Sequence, residues 1–113
     1  MHEMALCQGL IDLIDDQRAS DPFERVKSVV VTIGALGHVD PHALRFAFDV
    51  ARHGTVAESA ELEIEELPGR GWCMTCSESV ELAHRGDPCP GCEGFSIIVE
   101  QGEELRLKAL EVV

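Results

Sequence analysis

From Glu3 to about Ala19, the apolar residues Met4, Cys7, Ile11 and Ile14 recur at spacings of three, four and three, and Leu6, Leu10 and Leu13 widen the stripe. That period predicts an amphipathic helix. Its end is marked by Ser20-Asp21-Pro22, because the residue before a proline avoids the helical region. The next segment, "ERVKSVVVTIGALG", is β-branched, with Val29, Val31 and Ile33 on one face and Val30 and Thr32 on the other. Apolar side chains on both faces predict a strand covered from both sides. Asp40-Pro41 then reads as an N-cap followed by proline at the first helical position. Leu44, Ala47, Phe48 and Ala51 make the stripe of a second helix, closed by Gly54.

"ELEIEEL" alternates Leu62 and Ile64 against Glu61, Glu63 and Glu65, as a strand with one wet face does. "SIIVEQGEELRLKALEVV" gives two further strand runs around a Gln101-Gly102 turn. Between these strands, "PGRGWCMTCSESVELAHRGDPCPGCEGF" has neither period and is expected to be irregular. The predicted class is α+β: a small mixed β-sheet with two helices, carrying an inserted four-cysteine zinc lobe. Residues 1–69 and 96–113 are assigned to the α/β domain and 70–95 to the inserted lobe. No internal repeat or low-complexity linker interrupts this order.

The 113 residues are 45% hydrophobic, enough for one globular domain with a small extra lobe. Nine basic residues against 21 acidic ones give a formal charge of -12. Such a surface repels phosphate backbones and suits cations or basic protein surfaces, so no nucleic acid is expected as a partner. The N-terminus lacks a basic region, and Asp12, Asp15 and Asp16 break its apolar stretch, so no signal peptide is expected. No apolar run approaches the roughly 18 residues that span a bilayer. These features predict a cytoplasmic protein without a membrane association, in which five cysteines serve metal or thiol chemistry before disulfides.

Cys73 and Cys76 form one C-x-x-C pair, and Cys89 and Cys92 form another after 12 intervening residues. Each pair places two sulfurs on one side of a tight turn, and two such turns facing each other complete a tetrahedral site. Gly91 and Gly94 offer the permissive backbone that such a turn wants. Four thiolates suit Zn(II) first, with iron in the same cage or a redox thiol pair as alternatives. Four protein sulfurs leave no open coordination position, so the expected role of zinc is structural: it holds a lobe too small to fold alone. Cys7 lies on the apolar stripe of the first helix and is expected to pack. No pairing of nucleophile with base and no glycine-rich phosphate loop is present, so catalysis is not expected.

The opening "MHEMALC" has its own chemistry. The α-amine of Met1 and the amide nitrogen and imidazole of His2 can close adjacent five- and six-membered chelate rings, while the amide of Glu3 can add a fourth nitrogen. A planar nitrogen set suits Ni(II) or Cu(II). Imidazole and α-amine release protons near pH values of about 6.5 and about 7.7–8.0, so binding should be weak in acid and steep with pH. The plainer reading is a solvated helix start with an acid that complements the helix dipole. Asp40 is read first as an N-cap and His38 and His42 as surface residues, or as second ligands if the two helices start at the same end of the sheet; His53 and His84 are unplaced and read in the same plain way.

"MHEMALCQGL", "IGALGHVD" with its following "LRFAF", "HGTVAE", "WCMTC" and "CPGC" together carry a family resemblance over nearly the whole chain. The sequence resembles the HypA/HybF family of hydrogenase nickel incorporation proteins. The resemblance implies a nickel metallochaperone for maturation of [NiFe]-hydrogenase. It implies nickel at His2, with the neighbouring Met1 backbone and Glu3, and zinc at Cys73, Cys76, Cys89 and Cys92. It makes Asp40 a weaker nickel candidate. Implied partners are a nickel-delivery GTPase, the hydrogenase large subunit precursor and, in some organisms, urease maturation proteins. Some members place a histidine directly after each C-x-x-C pair, where this chain has Ser77 and Glu93. The competing expectation is a zinc-ribbon protein-protein interaction module without nickel function.

Overall fold

The computed structural model describes residues 2–113. Two helices and six strands follow in the order α1 (His2–Ser20), β1 (Val26–Gly34), α2 (Pro41–Ala51), β2 (Glu61–Leu67), β3 (Gly69–Cys73), β4 (Glu78–Leu82), β5 (Ile97–Gln101) and β6 (Leu105–Val112). The class is α+β, as expected. The strands form two three-stranded sheets, ordered β2-β1-β6 and β4-β3-β5, in place of the single sheet expected. Contacts divide the chain into two compact units. One comprises Met1–Val31, Val39–Ile64 and Leu107–Val113, and the other Thr32–His38 and Glu65–Arg106.

In the first unit, α1 and α2 pack together. The buried face of α1 is Cys7, Leu10, Ile11 and Ile14, the stripe that the spacing indicates, whereas Leu13 stands in solvent. The Cys7 thiol donates to the carbonyl of Leu44 at 3.5 Å, so the fifth cysteine packs between the helices. On α2 the buried residues are Leu44, Ala47 and Phe48. Asp40 caps this helix, its Oδ1 accepting the His42 N–H at 2.9 Å, and Pro41 follows at the first helical position. Such caps contribute about 1 kcal/mol. Within β1, Val26, Val29, Val31 and Ile33 are buried, and so is Thr32, which fits a strand covered on both faces.

The second unit contains a hairpin where no period is visible in the sequence. β3 pairs antiparallel with β4 and with β5. Glycines hide it: the buried positions of β3 are Gly69, Gly71 and Cys73, so no apolar alternation marks the strand. A Cβ at Gly69 would lie 2.5 Å from Cγ of Leu36, and one at Gly71 would lie 2.4 Å from Cγ2 of Ile97. Space, more than flexibility, selects glycine there. The core of this unit is Leu36, Val80, Leu82, Cys73 and Cys89, flanked by Ile97 and Val99. The cysteine-bearing unit therefore takes in residues on either side of 70–95, because β5 is a neighbour of β3. The Gln101-Gly102 bend joins strands of different sheets, with Gly102 at a φ of 113°.

Candidate metal centres

Four sulfurs converge in the second unit. The Sγ atoms of Cys73, Cys76, Cys89 and Cys92 all lie within 4.8 Å of one another. Cys73 ends β3, and the turn that leads to β4 carries Cys76; the other pair sits in the irregular segment before β5. The two turns are built alike. Ser77 N–H donates to the Cys73 carbonyl at 2.8 Å, and Glu93 N–H donates to the Cys89 carbonyl at the same 2.8 Å. Both Ser77 and Glu93 have left-handed backbone, with φ of 54° and 62°. The glycines singled out in the sequence, Gly91 and Gly94, are not the left-handed residues of these turns.

Backbone donors reach the sulfurs as well. Cys76 N–H points to Cys73 Sγ at 3.4 Å, and Gly91 N–H to Cys89 Sγ at 3.3 Å. At Cys73 such a donor favours the thiolate over the thiol. The Cys76 N–H, working against burial, draws the Cys73 thiol down to about 7. Its neighbour is driven the other way: hydrogen bonds with the Cys92 and Cys73 sulfurs push Cys76 up to about 12. One sulfur thus ionises readily, and a second negative charge beside it is resisted until a cation enters.

The spacing suits a tetrahedral ion. Zinc–sulfur bonds of about 2.3 Å require sulfurs about 3.8 Å apart. Cys73 Sγ and Cys92 Sγ are 3.7 Å apart, and Cys76 Sγ and Cys89 Sγ 3.9 Å. Four sulfurs with charge-stabilising donors make a closed, soft site that fits zinc and offers no position to substrate.

At the other candidate centre, His2 and Glu3 open α1. The His2 Nδ1 lies 3.2 Å from Glu3 Oε2, with the imidazole side chain 59% exposed and the Glu3 side chain 21% exposed. The first four N–H groups of a helix have no intrahelical acceptor. The amides of His2 and Glu3 are among them, so a metal that displaces their protons breaks no helical hydrogen bond. Met1 lies outside the described residues. Among the described residues, the four cysteines alone form a group of three or more metal-capable side chains. Asp40, with Oδ1 engaged in its cap, is not brought into such a group with His2 and Glu3. His42 and His53 are exposed, and His84 pairs with Asp87 at 3.7 Å.

The family described as hydrogenase/urease nickel incorporation, metallochaperone, hypA, matches residues 1–112 of this chain. Hydrogenase maturation factor HypA of Rhodopseudomonas palustris is 50% identical over 112 residues, which covers 99% of both chains. The protein of the same description from Azotobacter chroococcum is 48% identical over the same coverage. Among solved structures, the solution structure of the Ni metallochaperone HypA from Helicobacter pylori superposes with a TM-score of 0.72 at 26% identity, covering 98% of this chain and 97% of that one. A second solution structure, of HypA protein, gives a TM-score of 0.73 at 29% identity over 100% of this chain and 97% of the other.

Proposed function

This chain belongs to the HypA family of hydrogenase and urease nickel incorporation metallochaperones, and from that premise we propose that it carries Ni(II) at its N-terminus and delivers it during [NiFe]-hydrogenase maturation. The observation that supports this most is the start of α1, where an exposed imidazole, an adjacent carboxylate and two amides without helical acceptors coincide. His2 anchors the ion through Nδ1 and its own amide, and the Met1 amine and the Glu3 amide complete a nitrogen set. The Glu3 carboxylate pairs with Nδ1 only while that nitrogen carries a proton, and once Nδ1 is a ligand the carboxylate is placed to supplement the set. A site of terminal nitrogens exchanges ligands stepwise, which suits a carrier that must give its cargo away.

The second unit holds zinc through Cys73, Cys76, Cys89 and Cys92, and the ion supplies a structural crosslink there. The chain's own residues prepare that site: two matched turns aim the sulfurs, and the Cys76 N–H lowers the cost of the Cys73 thiolate. In this reading the protein is a cytoplasmic carrier and not a catalyst, and no described helix is long and apolar enough to cross a membrane. It hands nickel to a delivery GTPase and the hydrogenase large subunit precursor, with urease maturation proteins as further recipients in some organisms. Copper should bind such nitrogens more tightly than nickel, so selectivity rests on metal supply and partners.

Titration calorimetry with nickel on tag-free, zinc-loaded protein tests this. We expect about one nickel per chain, lost in His2→Ala while zinc is retained. Asp40→Asn keeps a good cap and removes the charge, and should leave nickel uptake near wild type. Equal binding by wild type and His2→Ala would replace the carrier with a zinc-ribbon interaction module. Visible absorption by the purified protein would instead indicate iron among the four sulfurs.

A further inference from the structure

The outer face of the β4-β3-β5 sheet exposes large apolar side chains among its polar ones. Register places Trp72 opposite Ser79 on β4 and Ile98 on β5, while Gly71, opposite Val80 and Val99, faces the core. Trp72 is 40% exposed and Ile98 57%. Met74, just past β3, donates its N–H to the Ser96 carbonyl at 2.8 Å, which brings it level with the start of β5. Met74 is 58% exposed, and Phe95, adjacent to Ser96, is 72% exposed. Two of the chain's five aromatic residues therefore stand in water on this stretch. Large exposed side chains of this kind, with Trp72 and Ile98 paired across β3 and β5 and Met74 and Phe95 close to them along the chain, mark a contact surface.

The rim of that surface is acidic. Glu81 and Glu100 are exposed on β4 and β5, on the Trp72 side of the sheet, and Glu93 lies nearby in sequence. The Ser79 hydroxyl donates to the Glu100 carboxylate, which holds that charge beside Trp72. The one positive group on the ladder, Arg70, stands opposite Glu81.

We propose that this face docks a basic protein partner, through a segment that sets a large apolar side chain on Trp72, Ile98, Met74 and Phe95 with lysine or arginine on either side. Charge decides among occupants. A second copy of this chain would set the same carboxylates against each other, whereas a basic segment neutralises them. Arginine gains a further contact by stacking on the indole. The surface is independent of nickel: it belongs to the zinc-bearing unit and requires nothing of His2.

Trp72 is the sole tryptophan, so its emission reports on this face alone. The probe is a tryptophan-free amphipathic helical peptide of leucine and lysine, titrated into full-length zinc-loaded protein, with glutamate in place of lysine as control. We expect a saturable blue shift with the lysine peptide, at one peptide per chain, weakened at least about tenfold between low and high salt. The double variant Phe95→Ser, Ile98→Ser removes only exposed side chains. It should keep four-thiolate zinc binding and weaken the peptide by at least about tenfold. His2→Ala should bind the peptide like wild type, so failure of nickel carriage leaves this result standing. Equal binding of the glutamate peptide, or undiminished binding by the double variant, would overturn the docking surface. A blue shift that grows with protein concentration alone would assign the face to self-association instead.

Discussion

Cys7 shows how far a single side chain can be understood from its surroundings. Burial first, and the nearby Glu3 charge second, push its thiol from the ordinary 9.0 up to about 11. Between those values the folded chain keeps a proton that the unfolded chain releases. The associated stability is therefore present below about pH 9 and is lost as pH rises through about 11, by about 2–3 kcal/mol. Denaturant unfolding at pH 8 and at pH 10.5 should show that loss in wild type and its absence in Cys7→Ala. The packing role of Cys7 was legible from its place on a helical stripe, and the cap at Asp40 from the proline after it. Ser77 and Glu93 were not legible as left-handed residues. Glycine or asparagine is the usual marker of that conformation, and neither residue offers it.

Elements with side chains in their buried positions could be read from the sequence: α1, α2, β1, β2, β5 and β6 lie where periodicity puts them. The β3-β4 hairpin could not, because its inward positions are glycines that make room for Leu36 and Ile97. Pairing partners were also out of reach, since a bend such as Gln101-Gly102 looks the same in a hairpin and in a crossover. Two alanine substitutions separate the roles of glycine in these elements. At Gly34 a Cβ would lie 2.0 Å from the Gly102 carbonyl carbon, a backbone atom that cannot rotate away. Gly34→Ala should cost about 3 kcal/mol or more in thermal unfolding. Gly9, inside α1, has nothing within 4 Å of such a Cβ. Gly9→Ala should stabilise by about 0.5–1 kcal/mol, because alanine is the better helix former.

Across the whole molecule the two units differ in what holds them. The helical unit buries Phe48, Ile14 and Leu44 among hydrocarbon, and each such side chain contributes about 1.5–3 kcal/mol. The other has Cys73 and Cys89 as two members of a small core, so its interior is complete only when the sulfurs are held. Removal of zinc with a chelator should therefore abolish hydrogen-exchange protection in β3, β4 and β5 and preserve it in α1 and α2. Equal loss in both would show that the metal's contribution is not confined to its own unit. Composition could indicate a zinc lobe, yet not how far its core extends, because Leu36 reaches it from a distant part of the sequence.

The strand order β2-β1-β6 also bears on synthesis. β1 carries the run Val-Val-Val-Thr-Ile and leaves the ribosome early, but one of its two neighbours, β6, is made some 70 residues later. At roughly 5–20 residues per second, a nascent chain spends several seconds with that edge unpaired. During this interval the growing polypeptide is open to strand-to-strand misassociation, and only the arrival of β6 closes that edge.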